Sequence, residues 1–216
     1  VKSLPSLLLI TIRAKSTEAY ATPSSSSWME HRDRMLPHCI LPLTETAYKG
    51  SSGRLAVIGG SELYTGAPYY AATAALQTGA DLVTIYTAAA AAIPLKTYSP
   101  ECMVQAIYSA ADLVLPTTME KESIAIDDVP ELLEQFPALQ TIVDGMIRTV
   151  TQSASRYHGW IVGPGLGRCP IVAYAVGQIL QHVRHTYPQV PMVLVADALW
   201  CMATSPVVWQ RGILHD

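Results

Sequence analysis

Three glycines fall within five residues in Gly163-Pro164-Gly165-Leu166-Gly167, and Arg168 follows them. Without a Cβ, glycine lets the backbone approach a ligand closely, and backbone N–H groups ahead of a helix favour an anion such as a phosphate. The run comes after the apolar Trp160-Ile161-Val162 and before a helical pattern, so it reads as the turn from a strand into a helix. It is not the dinucleotide fingerprint G-x-G-x-x-G. The third glycine comes one position early, and Val183 stands where that fingerprint needs an acid about 20 residues on. Taken alone, the run reads equally well as a structural turn.

Other candidate positions are weaker one by one. Thr65-Gly66-Ala67-Pro68 opens a helix, with Thr65 a favourable N-cap and Pro68 a tolerated first-turn residue. The small side chains there leave room for a flat ligand on the helix start. Lys49-Gly50-Ser51-Ser52-Gly53-Arg54 has the composition of a phosphate loop, but no Gly-Lys-Ser/Thr occurs in the chain, and a turn ahead of a strand is the better reading. Asp197 follows a buried-strand pattern. A carboxylate there can bond a ligand, coordinate Mg²⁺ through water or cap the next helix, and the sequence leaves the three open. His182, His185 and His158 do not specify a metal site, and a solvated helix face accounts for the first two. No nucleophile elbow, Ser/His/Asp order or paired-carboxylate spacing stands out.

The elements that must position these residues alternate. Residues 55–58 are a short apolar run ending on Gly59-Gly60-Ser61, as a buried strand entering a turn would. Residues 67–78 favour a helix with Gly79 at its C′ position, and 82–86 are β-branched and aromatic, as a strand requires. Residues 88–92 read as a short helix stopped by Pro94, and 103–107 and 141–143 as weaker strands. After strand 160–162 and the glycine run, Val172, Val176, Ile179, Leu180 and Val183 recur at helical spacing up to the boundary at Pro188. Residues 193–195 form a further strand ahead of Asp197. Strand and helix in turn, with short links, mean a three-layer α/β domain with a mostly parallel central sheet. Ligands of such sheets bind outside the carboxyl ends of the strands. The Gly59-Gly60-Ser61 turn, the glycine run and Asp197 are all expected at that edge.

The bulk composition agrees. Half of the 216 residues are hydrophobic and only 14% are charged, the pattern of strands buried on both faces. No run approaches the roughly 18 uninterrupted apolar residues of a membrane span. A net charge of −3 without Lys/Arg clusters argues against nucleic-acid binding. Cys39, Cys102, Cys169 and Cys201 form no C-x-x-C pair and read as buried thiols in a reducing compartment. Residues 1–34 are expected to be a tail and 35–216 the domain. Within the tail, 1–27 is Ser-rich, carries Lys2, Arg13 and Lys15, and has Glu18 as its only acid. Organelle targeting, a short secretory core over 7–12 and translated non-coding sequence all remain open for it, and 22–27 is a Ser/Pro linker.

Taken in order, the pieces acquire a specific likeness. Leu41-Pro42-Leu43, Lys49-Gly50 and Gly53-Arg54 lead into Ala56-Val57-Ile58-Gly59-Gly60-Ser61, then Tyr64-Thr65-Gly66-Ala67-Pro68 with Ala71-Ala72, then Gly79-Ala80-Asp81-Leu82. Tyr98-Ser99-Pro100-Glu101, Val162-Gly163-Pro164-Gly165-Leu166-Gly167-Arg168 and Val195-Ala196-Asp197-Ala198-Leu199-Trp200 complete the series. From about Met35 to the end the chain resembles the ATP-dependent NAD(P)H-hydrate dehydratase family. The resemblance implies a ribokinase-like fold, ATP and Mg²⁺ as cofactors, and the S form of hydrated NADH or NADPH as the small-molecule substrate. It implies a carbon–oxygen lyase that phosphorylates the hydroxyl of the hydrated ring and then expels phosphate. Gly163, Gly165, Gly167, Thr65, Gly66, Ala67 and Pro68 match the family's substrate-binding positions, with Asp197 a further match of open role. A cytoplasmic or mitochondrial location follows, with no membrane or nucleic-acid partner and homo-oligomerisation left open.

Two departures stand out. Ala196 replaces a second acid usual in the family. The family's Thr-Pro-Asn…Glu-Phe substrate motif, Lys-containing ATP strand and Gly-Gly-x-Gly-Asp turn with the catalytic Asp do not occur before Asp216. The expectation is a chain truncated at its C-terminus, with no catalytic residue or metal ligand, inactive and poorly stable alone. The rival readings are a sugar or vitamin-alcohol kinase of the same fold, an inactive or merely binding product, and a nicotinamide-dependent oxidoreductase.

Overall fold

A computed structural model of the protein describes residues 10–12, 34, 45–113, 124–211 and 213. Six strands form one sheet: β1 (Ile10–Ile12), β2 (Arg54–Ile58), β3 (Leu82–Ala88), β4 (Met103–Tyr108), β5 (Gly159–Val162) and β6 (Met192–Leu194), in the order β1-β6-β5-β2-β3-β4. Strands β6, β5, β2, β3 and β4 run parallel, and β1 pairs antiparallel with β6. The helices are α1 (Gly66–Gln77), α2 (Ala89–Tyr98), α3 (Val129–Gln135), α4 (Pro137–Thr151), α5 (Pro170–Thr186) and α6 (Asp197–Thr204). All four strands expected over 55–58, 82–86, 160–162 and 193–195 lie in this sheet, within two residues of those bounds.

Alternation along the central strand sends side chains into two cores. Val57 packs with Val83, Ile85, Ala72, Ala75, Ala91 and Leu95 beneath α1 and α2. Ala56 and Ile58 face the other way, into a larger core with Trp160, Val162, Val143, Met146, Val176 and Leu180 under α4 and α5. Helix α1 ends as its sequence requires: Gly79 has φ 111°, its N–H reaches Leu76 O, and Ala80 N–H reaches Ala75 O. These two bonds satisfy carbonyls that the helix end would otherwise leave bare.

Two sequence expectations are corrected. Residues 141–143 are not a strand but part of α4, because Leu139, Val143, Met146 and Val150 recur every three or four residues and all are buried. A three-residue β-branched stretch is overridden by the longer helical period. Pro94 does not stop its helix; it lies inside α2, where it removes one backbone donor while Ala91, Ala92 and Leu95 anchor the helix on the sheet. Part of the segment read as tail, Ile10–Ile12, pairs with β6 in register Ile10↔Leu194 and Ile12↔Met192. The rest of residues 1–34, apart from Arg34, and Cys39 and Leu41-Pro42-Leu43 lie outside the described residues.

Asp127 ties a short turn to the chain beyond α6. One carboxylate oxygen accepts bonds from the Ser205 hydroxyl and, at 3.0 Å, from Val208 N–H, and the other accepts Val207 N–H at 3.2 Å. Partial burial alone would raise the pKa of Asp127, but the Ser205 and backbone donors hold it below the usual value of 3.8.

Candidate functional site

From β2 the chain moves outward on one side through β3 and β4, then returns to place β5 and β6 on the other side. The reversal falls between β2 and β5. In open parallel sheets a crevice forms at that point, outside the carboxyl ends of the strands. The Gly59-Gly60-Ser61 turn leaves β2 there, and the 163–167 loop leaves β5. Main-chain bonds join them: Gly163 N–H donates to Ile58 O at 2.9 Å, and Gly60 N–H to Pro164 O at 3.0 Å. A cleft of about 1170 Å³ opens above, lined by residues that include Ser61, Tyr64, Ala67, Gly165, Leu166, Gly167, Arg168, Asp197 and Trp200.

Of the positions expected to bind substrate, Gly165, Gly167, Ala67 and Asp197 line this cleft. Gly163, Thr65, Gly66 and Pro68 stand behind the lining. Gly163 is buried where a Cβ would overlap the Val195 carbonyl and lie 2.6 Å from Ala198. Pro68 is buried, its ring 3.2 Å from where a Cβ on Gly60 would stand. Thr65 occupies the N-cap position of α1 without capping it; its hydroxyl instead meets the Tyr98 hydroxyl at 2.9 Å. Tyr98 therefore reaches the base of the Tyr64–Pro68 motif, although the Ser99-Pro100-Glu101 that follows it does not line the cleft.

Asp197 begins α6, with Ala196 in the N-cap position. It does not cap its own helix: one carboxylate oxygen accepts Gly167 N–H at 2.9 Å, and the other lies 4.0 Å from Arg168 Nε. The Arg168 guanidinium is 5.2 Å from the centre of the Trp200 ring, within cation–π range. Arg168, two-thirds exposed, is the cation among the described lining residues, against the acids Glu62 and Asp197. Sequence reasoning missed Trp200 as a support for Arg168, although its place three residues after Asp197 on a helix was a usable signal. It also missed Tyr108, which ends β4 in the cleft, where burial chiefly keeps the phenol protonated, aided by Cys169 and Glu62.

The other candidates have structural explanations. Gly50 and Ser52 N–H groups donate to the Asp81 carboxylate at 2.9 and 2.8 Å, so the donors a phosphate would use are already taken. The Ser52 backbone bond leads in holding the Asp81 pKa below its usual value, against desolvation and with help from the Gly50 bond. His158 meets Arg54, whereas His182 and His185 are exposed on α5. Among the described residues no three His, Cys, Asp or Glu side chains group as metal ligands. Cys102, Cys169 and Cys201 are free thiols, and burial, with a contribution from Asp197, pushes Cys201 up to about 12. No described helix is long and apolar enough to cross a membrane.

Comparison with known proteins identifies the family. A family model described as NAD(P)H-hydrate dehydratase matches residues 55–213, well over half of the chain. An ATP-dependent (S)-NAD(P)H-hydrate dehydratase of Danio rerio is 32% identical over 88% of this chain and 48% of its own length. The enzyme of that name from Rattus norvegicus is 31% identical over 96% of this chain and 50% of its own. The chain thus spans about half the length of the curated relatives it matches. A solved ribokinase-like superfamily protein of Enterococcus faecalis V583 is 22% identical, with a TM-score of 0.45, over 76% of this chain and 44% of its own. The matched span runs from β2 through α6 and carries both the glycine loop and Asp197, and on that match the chain belongs to the NAD(P)H-hydrate dehydratase family.

Proposed function

We propose that the cleft binds the S form of hydrated NADH or NADPH, and that the protein carrying it restores NAD(P)H with ATP. One observation carries the reading. Ala67, Gly165, Gly167 and Asp197 come from three motifs far apart in sequence, yet they line a single cleft at the reversal point of the sheet. Gly165 and Gly167 leave backbone open to close approach, Tyr64 and Leu63 offer exposed apolar surface to a ring, and Arg168 offers a cation to a phosphate. ATP supplies a phosphoryl group to the ring hydroxyl, so that phosphate leaves in place of hydroxide as the ring nitrogen pushes electrons in and a neighbouring ring proton is lost. Such transfer depends mainly on positioning and charge neutralisation. The described residues offer no preformed cage for Mg²⁺, which commonly binds through substrate phosphates and one or two carboxylates. We assign the protein to the cytoplasm or mitochondrion.

The test is return of dihydronicotinamide absorbance from purified hydrate, with and without ATP, using the protein at its full natural length. Recovery that requires ATP is the expected result. No recovery, together with phosphorylation of a sugar or pyrimidine alcohol, would replace this reading with that of a small-molecule kinase.

A further inference from the structure

We propose that Asp197 is a positioning residue: presented by the strained backbone of Ala196, its carboxylate fixes the Gly167 end of the glycine loop and neither binds metal nor moves a proton. This rests on the reading that the loop contacts the hydrated dinucleotide. Both oxygens of the carboxylate face loop groups, the Gly167 N–H at 2.9 Å and the Arg168 guanidinium at 4.0 Å.

The backbone beside it is the second observation. Ala196 has φ 48° and ψ −118°, the one non-glycine positive φ among the described residues. It occupies the first corner of a turn closed by Ala198 N–H on Val195 O at 3.0 Å, a place that favours glycine. An L-residue there is held in an unfavourable conformation, which persists only where the surroundings over-determine it. They do so here. Val195 N–H is bonded to Val162 O, and Leu199 and Trp200 N–H groups both converge on Ala196 O. The turn aims Asp197 across the edge of the sheet at a residue 30 positions earlier. Trp200 lies on the same side of α6 and steadies Arg168, so one helix face holds two consecutive loop residues.

Two substitutions separate positioning from chemistry. Asp197→Asn keeps an oxygen that accepts the Gly167 N–H, but has no charge for a metal and cannot act as a base. Asp197→Ala removes everything. In the full-length protein, Asp197→Ala should raise KM for the hydrate about tenfold or more with a smaller change in kcat, and Asp197→Asn should bring KM back to within about threefold of wild type. Hydrogen exchange of the Gly167 amide, measured without ligand, should be at least about tenfold faster in Asp197→Ala and near wild type in Asp197→Asn. This second readout stands even if the hydrate proves not to be the substrate. Ala196→Gly, which suits the first corner of the turn, should fold at least as stably as wild type and leave KM within about twofold of it. An Asn variant as impaired as Ala, a loss confined to kcat, or a Gly167 amide indifferent to both substitutions would overturn the proposal.

Discussion

The two ends of the glycine loop are held by different means. At Gly163 the main chain is bonded to β2, and a Cβ would overlap the Val195 carbonyl and come within 2.6 Å of Ala198. At Gly167 a Cβ would meet Ser61 at 3.4 Å, an adjustable contact, and a side chain, Asp197, does the holding. Gly165 is intermediate, its missing Cβ 2.8 Å from that of Tyr64. The same residue type therefore answers three demands within five positions: closure of the β5–β6 edge, close meeting of loop and helix start, and a backbone turn facing the cleft. The loop grades from fold into site, and its tunable end is the one gripped by a side chain.

Substitutions along the loop should reproduce that gradient. Gly163→Ala has the largest expected effect, because the overlap is with backbone and the φ of 110° is unfavourable for any other residue. A loss of at least about 4 kcal/mol is expected, seen as insoluble protein or failure of cooperative melting. Gly165→Ala should cost about 1–3 kcal/mol as Tyr64 and the start of α1 shift, and should raise KM for the hydrate more than a simple loss of stability explains. Gly167→Ala, with room for a methyl group, should cost only the left-handed backbone, about 1–2 kcal/mol, with a drop in Tm of several degrees. If all three fall equally, the contrast between the ends is wrong.

The smallest effect is expected at the other carboxylate clamp, that of Asp127, which makes no bond to the loop. Asp127 has a lowered pKa in the folded state. A lowered carboxylate pKa contributes stability that is present above its unfolded value of 3.8 and lost as pH falls through the folded value. Melting measured against pH should show a small acid-side loss in wild type that is reduced in Asp127→Asn, the remainder belonging to groups such as Asp81. A loss of the same size in that variant would assign it wholly to other groups.

The sheet was largely legible from sequence, because buried parallel strands write themselves as short apolar runs at 55–58, 82–86, 160–162 and 193–195. So was the meeting of the Gly59-Gly60-Ser61 turn, the glycine run and Asp197 at the carboxyl ends of the strands, since each follows one of those runs. What escaped were decisions made by tertiary contacts. Pro94 is carried inside a helix by Leu95 and its alanine neighbours, which local rules cannot foresee. Thr65 gives its hydroxyl to Tyr98, 33 residues away, instead of capping α1. The role of Asp197 was open because three chemistries share one residue type at a strand end; its bond to Gly167, 30 residues earlier in the chain, is with a partner that none of the three names. Gly163 and Gly167 looked alike because sequence records the absence of a side chain but not what would have met it.

The most direct test of the account is the position of the ligand itself. A crystal structure of the full-length protein soaked with hydrated NADPH should show the ligand against Gly165 and Gly167, a ring near Tyr64 and a phosphate within bonding distance of Arg168. Ligand bound elsewhere, with the 163–167 loop bare, would contradict it.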